Sequence, residues 1–154
     1  MKITLLGSGT STGVPEIGCT CPVCTSQDPR DNRLRCSGMI EINGVRILMD
    51  CGPDFREQMN RLDDFKPIDA VLITHEHYDH VGGLDDLRPF CRFRDIPVYA
   101  EDYMAQHLRE RIPYCFTPHP YWNICLLISE ANGALTVCLK QFGSSWTAMF
   151  VLFR

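Results

Sequence analysis

Thr74-His75-Glu76-His77-Tyr78-Asp79-His80 puts three imidazoles and two carboxylates into seven residues, directly after the apolar run Ala70-Val71-Leu72-Ile73. Neutral imidazole and carboxylate are the ligands that borderline divalent metals such as zinc prefer. A buried strand ending in such a cluster is a rigid arm that delivers ligands to the rim of a sheet. His75 and His77, two residues apart, can converge on one ion where the strand gives way to a loop. Asp79 and His80, offset along the chain, can address a neighbouring second ion. Two ions about 3.5–4 Å apart hold a bridging hydroxide and clamp both the attacking and the leaving oxygen. Histidine-rich turns also occur as solvated surface, but this density after an apolar strand favours a metal site. The segment points to a metal-dependent hydrolase.

Working outward, the surrounding pattern alternates strands and helices, which predicts α/β layering. Ile3 to Leu6 reads as a first strand entering the glycine-rich loop Gly7-Ser8-Gly9-Thr10-Ser11-Thr12-Gly13-Val14-Pro15. A cysteine-rich loop follows, through Cys36. Gly38 to Ile42, Asn43-Gly44 and Val45 to Met49 read as a hairpin closed by a two-residue type I′ turn. The second hairpin strand runs into Asp50-Cys51-Gly52-Pro53. Phe55, Met59 and Leu62 have helical spacing behind a proline-led start. Asp69 to Thr74 is the strand that carries the cluster. After Gly82-Gly83-Leu84 a short helix is expected, interrupted or kinked at Pro89. Ile96 to Ala100 reads as a strand, and Met104, Leu108 and Ile112 mark the core face of a helix ended by Pro113. From about Trp122 the pattern changes to apolar runs at 123–128, 134–139 and 146–153.

At 154 residues the chain is long enough to bury a core and reads as one domain spanning residues 1–154. The net charge of −4 gives no electrostatic reason to expect a nucleic-acid partner or an anionic membrane surface. The four-residue apolar run after Met1-Lys2 is too short for a signal-peptide core, and no stretch reaches transmembrane length. The cytoplasm is therefore the expected location. The nine cysteines then favour metal ligation or buried thiols over a disulfide framework. Cys19, Cys21 and Cys24 lie too close together for a convincing disulfide set, whereas three thiolates in six residues suit one zinc. Incidental burial of these thiols is the competing reading. The glycine-rich loop lacks the lysine of a P-loop and the third glycine of a dinucleotide fingerprint, so close backbone approach to the site is its better use. Arg88, Arg92 and Arg94 read either as a phosphate-binding cluster or as a solvated face. His107 and His119 lack the paired spacing of a metal site and read as ordinary surface.

Thr-His-x-His-x-Asp-His at 74–80, followed by Val81-Gly82-Gly83-Leu84, resembles the metal-binding motif of the metallo-β-lactamase-fold superfamily. Asp50-Cys51-Gly52 resembles that family's earlier Asp-x-Gly motif at the end of a hairpin strand. The opening Gly7-x-Gly9-Thr10-x-x-Gly13-Val14-Pro15, with Cys19-x-Cys21-x-x-Cys24, narrows the resemblance to the phosphoribosyl cyclic phosphodiesterase (PhnP-like) branch. It covers residues 1–120, leaving 121–154 as a divergent or truncated tail. The resemblance implies an αββα sandwich, here incomplete. It implies two divalent ions, zinc or manganese, on His75, His77, Asp79 and His80, and a structural zinc on Cys19, Cys21 and Cys24. The catalytic pair is then Asp79 and His80, with Asp79 both binding metal and orienting the attacking water. Asp50 is expected to hold a ligand histidine through its other ring nitrogen, or else to cap a turn. The implied substrate is a small phosphodiester of the cyclic sugar phosphate type, with no membrane or nucleic-acid partner and room for a homodimer.

The same resemblance implies ligands that this chain does not visibly carry. The family's complete site takes two later histidines and a later bridging aspartate, whereas the last histidine here is His119 and the last aspartate Asp102. Four residues shared between two ions give each about two protein ligands, below the three typical of catalytic zinc. A truncated or frame-disrupted copy is therefore expected, with the apolar tail covering a bare sheet face or leaving a sticky surface. In the resembled branch a distant histidine completes the cysteine site; Cys36 or His119 are the candidates to replace it. Two rival functions follow: a tRNA 3′-processing-type endonuclease on the same fold, and a metal-binding fragment that does not turn over substrate unless a partner chain helps. The cysteine triplet, the acidic charge and Tyr78, where the endonuclease branch has glycine, count against the first.

Overall fold

The computed structural model describes residues 1–115 and the backbone of two further short strands, 135–137 and 149–151. Five strands form one mixed sheet in the order β1 (Lys2–Gly7), β2 (Ser37–Ile42), β3 (Val45–Met49), β4 (Ala70–Leu72) and β5 (Val98–Tyr99). The first three are antiparallel neighbours, and β3, β4 and β5 run parallel. The hairpin between β2 and β3 turns at Asn43 (φ 50°) and Gly44 (φ 82°), both in the left-handed region that a type I′ turn requires. Because β3, β4 and β5 are parallel, the loops leaving their carboxyl ends emerge on one edge of the sheet. Asp50, Thr74 and Ala100 all lie there.

Strand alternation divides the core in two. Met39, Leu48, Val71 and Val98 face a helical layer built from Phe55, Leu84, Leu87, Phe90, Met104 and Leu108. Ile47, Ala70 and Leu72 point the other way, with Ile40, Val45 and Tyr99 packed beside them. Apolar residues on both faces of β4 account for its continuous hydrophobic run, the pattern of a central parallel strand. The layer consists of α1 (Phe55–Asn60), a 3-10 helix at Leu84–Arg92 and α3 (Asp102–Arg111), with a one-turn helix α2 at Tyr78–Val81. Residues 135–137 and 149–151 pair as antiparallel strands β6 and β7, outside the five-stranded sheet.

Three sequence expectations change in detail. The cluster does not fall wholly in a loop: α2 starts at Tyr78 with His77 at its N-cap, so Asp79 and His80 ride on a helical turn. The segment after Gly83 is 3-10 helix and contains Pro89 without interruption. The expected strands at 69–74 and 96–100 contract to Ala70–Leu72 and Val98–Tyr99, although Ile73 N–H still bonds to Tyr99 O at 2.9 Å. Among the described residues no helix is long and apolar enough to cross a membrane. The apolar runs beyond residue 120 lie outside the described residues apart from the backbone of β6 and β7.

A candidate metal centre at the carboxyl edge of the sheet

The two motifs, some 25–30 residues apart in sequence, are built into one another. Asp50 leaves β3 with φ 59°, a left-handed conformation that Asp tolerates better than most residues. Its N–H bonds to Leu72 O at 2.9 Å, which turns the side chain across the end of β4. Asp50 Oδ1 accepts from the Thr74 N–H (2.8 Å) and Oδ2 from Thr74 Oγ1 (2.8 Å). Oδ2 also lies 2.8 Å from His80 Nδ1. Behind it, Cys51 N–H bonds to His80 O and Gly83 N–H to Cys51 O, both at 2.8 Å. The glycine at 52 is forced by this approach: a Cβ there would stand 2.0 Å from Asp79 O. A Cβ on Gly83 would likewise stand 2.1 Å from Gly52 O.

These contacts set the chemistry of His80. A carboxylate can only accept, so Nδ1 donates to Asp50 and Nε2 is the ring nitrogen turned toward the site. That is how ligand histidines are held in metal proteins. His80 Nε2 stands 3.2 Å from Asp79 Oδ2. The His75 ring lies 4.6 Å from that of His77 and 3.9 Å from that of His80, measured between centroids. His75 Nδ1 meets Thr74 Oγ1 at 3.0 Å. All four expected ligands therefore share one patch, with donors suited to a borderline divalent ion. The His75 ring lies nearer that of His80 than that of His77, and the four do not bring three ligand atoms within 4.8 Å of one another.

Cys19, Cys21 and Cys24 do meet that condition, and among the described residues theirs is the group that does. Thiolates around a tetrahedral zinc with bonds of about 2.3 Å stand about 3.8 Å apart, so the spacing fits. The Cys24 N–H reaches Cys21 Sγ at 3.5 Å and the Glu16 N–H reaches Cys24 Sγ at 3.4 Å. Donation from Cys24, aided by Cys19, pulls the Cys21 thiol down to about 7. Burial of all three as inert thiols does not hold, since Cys21 is exposed and the others are partly so. Cys36 does not join the group; His119 lies outside the described residues.

The arginines of 88–94 disperse instead of clustering. Arg88 pairs with Asp85, Arg94 with Asp69 (2.6 Å), and the Arg92 guanidinium lies over the Phe65 ring at 4.4 Å. His107 is exposed, as expected, but it is not idle: its Nδ1 pairs with Glu76 Oε2, inside the motif. That pairing lowers the Glu76 carboxyl below its ordinary value. Sequence reading also missed Arg35, whose guanidinium ties Ser11 O (2.8 Å) of the glycine-rich loop to Asp54 (2.7 Å) ahead of α1. Neither contact has a sequence signal, because the partners lie 19 to 31 positions apart. A cavity of about 330 Å³ between α1 and the 3-10 helix is lined by none of the motif residues.

Comparison with known proteins agrees with this architecture. The β-lactamase superfamily domain matches residues 45–144, from β3 past the histidine cluster, and the chain belongs to that family. It is similar to a diphosphatase from the PhnP family, whose crystal structure superposes with a TM-score of 0.71 at 42% identity, covering 86% of this chain and 53% of that one. Zinc-bound PqqB from Methylobacterium extorquens shares the fold (TM-score 0.70, 24% identity), covering 87% of this chain and 48% of that one. A Porphyromonas gingivalis protein named octanoyltransferase is 54% identical over 128 residues, which are 82% of this chain and 26% of that protein. The chain thus spans about half the length of the solved relatives and about a quarter of that curated one. The metallo-β-lactamase fold, present here as a partial sandwich, follows from both the family match and the superposition.

Proposed function

We propose that this chain is the metal-holding part of a phosphodiester hydrolase, acting on a small cyclic phosphate of the phosphoribosyl type. The observation that carries the reading is the 2.8 Å contact between Asp50 Oδ2 and His80 Nδ1, which aims Nε2 beside Asp79. Likeness to a PhnP-family diphosphatase supports it. His75 and His77 would hold one divalent ion, zinc or manganese, and Asp79 and His80 the other. When bound, such ions lower the pKa of a water toward neutrality and polarise a phosphoryl oxygen. This chain's residues supply the rest. Asp50 keeps His80 in one tautomer, and the Asp79 carboxylate orients the attacking water and accepts its hydrogen bond. Cys19, Cys21 and Cys24 would hold a structural zinc that ties down the loop after the glycine-rich segment.

A second reading has a specific support: the chain covers about half of each solved relative. On that reading it binds metal but turns over substrate only when a partner supplies further ligands. Turnover of a cyclic ribose phosphate and of a generic aryl phosphodiester, with added zinc or manganese, separates the two. Hydrolysis that falls about 10²–10⁴-fold in Asp79→Asn supports the enzyme. Metal bound at the motif without hydrolysis supports the second reading. RNA cleavage without cyclic phosphate turnover would move the substrate class to the endonuclease. The protein named octanoyltransferase is matched over 26% of its own length, so its name carries no substrate to this chain.

A further inference from the structure

Glu76 stands between the two histidines expected to share an ion, and it is gripped twice by a helix that belongs to neither motif. His107 Nδ1 pairs with Glu76 Oε2, and Arg111 guanidinium bonds to the Glu76 carbonyl at 3.3 Å. His107 and Arg111 are four residues apart on α3, one turn along the same face. The adjoining face of that helix is anchored in the core by Met104, Ala105 and Leu108, all buried. Tyr103 sets the His107 ring from the other side, in an edge contact at 6.1 Å between centroids. The peptide that Arg111 holds is the one linking Glu76 to His77. Both the side chain and the backbone of the spacer residue are therefore tied to a rigid element.

The need for such a tie is physical. A histidine pair on a strand end converges on one ion only while the intervening residue keeps its φ and ψ. Thr74 anchors the segment upstream through Asp50, and His77 O accepts from His80 N–H (2.9 Å) downstream. Between these anchors, the hydrogen bonds that hold the Glu76 side chain and carbonyl come from His107 and Arg111 of α3. We propose that His107 and Arg111 are positioning residues, which act through Glu76 to hold His75 and His77 ready for a divalent cation. The proposal rests on the reading that the motif binds metal.

Cobalt(II) titration of the full chain tests it. Thiolate-bound cobalt also absorbs in the visible, so the visible ligand-field absorption of the histidine site is read in a chain with Cys19, Cys21 and Cys24 replaced by serine, and the cysteine triplet is read in the unsubstituted chain by its near-ultraviolet thiolate charge transfer. His107→Ala and Arg111→Ala are each expected to weaken cobalt binding at the histidine site about 10–100-fold, the usual effect of removing a partner behind the ligands. The thiolate band and the metal-free Tm should stay in place. His107→Asn, whose amide nitrogen takes the position of Nδ1, should recover most of the affinity. Unchanged cobalt affinity in His107→Ala overturns the proposal. So does a parallel loss of both bands and Tm without rescue by asparagine, which would show a merely structural role. A control with His75→Ala and His77→Ala separates the two levels. If that pair leaves the visible band intact, the metal reading itself fails and takes the proposal with it. If it abolishes the band while His107→Ala does not alter it, only the positioning role falls.

Discussion

At the scale of single residues, Asp50 carries the most. Its carboxylate joins β3, Thr74 and His80, and it sits 5% exposed among them. Asp50→Asn keeps one acceptor oxygen but replaces the other with an amide donor that cannot take the His80 proton. Metal affinity at the motif should fall about 10–100-fold while the fold survives, as read by competition with a chromophoric chelator; unchanged affinity would mean that His80 is not held for ligation. Gly52 makes a different demand. With Asp79 O only 2.0 Å from where its Cβ would be, Gly52→Ala forces β3's exit loop away from α2. A loss of about 1–3 kcal/mol or more in urea unfolding is expected, the cost of overpacking a site that cannot yield. Of these two roles, that of Asp50 could be anticipated from its motif. That of Gly52 could not, because the obstacle is a backbone carbonyl from 27 positions downstream.

Elements were legible where their cause is local. Asn43-Gly44 marks its turn by itself, and Met104 and Leu108 mark the buried face of α3. α2 was not legible: four residues are far too few to form a helix on propensity, and the turn exists because Cys51 and Gly83 fasten it. The 3-10 helix at Leu84–Arg92 was expected as a short helix interrupted or kinked at Pro89, since apolar spacing does not reveal a tighter hydrogen-bond pattern. The cysteine loop was legible as a possible zinc site, and its thiols now allow a sharper statement. With its thiol at about 7, exposed Cys21 should alkylate fastest among the seven cysteines of the described residues in metal-free protein at neutral pH. Buried Cys51 and Cys115 should react only on unfolding. Added zinc should protect Cys19, Cys21 and Cys24 together. Mass mapping after iodoacetamide checks this, and zinc-insensitive labelling of Cys21 would remove the structural zinc from the account.

On the scale of the whole molecule, the fold was legible because strand alternation and four ordered motifs agree with one another, and the family match over 45–144 covers the two of them at Asp50–Gly52 and Thr74–His80. What sequence could not provide was the wiring between distant positions: Arg35 to Asp54, Glu76 to His107. Exposure on the sheet concentrates at β1 among the described residues, while Ile47, Ala70 and Leu72 on the same face are buried. Ile3 and Leu5, on the face shared with Ile40 and Ile47, remain 59% and 76% exposed, although both pair with β2. Helices cover the other face. The central claim, that the histidine cluster binds metal independently of the cysteines, is open to direct counting. Metal per chain, measured by mass spectrometry after gel filtration, should persist at the motif when Cys19, Cys21 and Cys24 are all replaced by serine. It should disappear when His75 and His77 are replaced by alanine in that background. Complete loss of metal on removing the cysteines alone, from a chain that still folds, would contradict it.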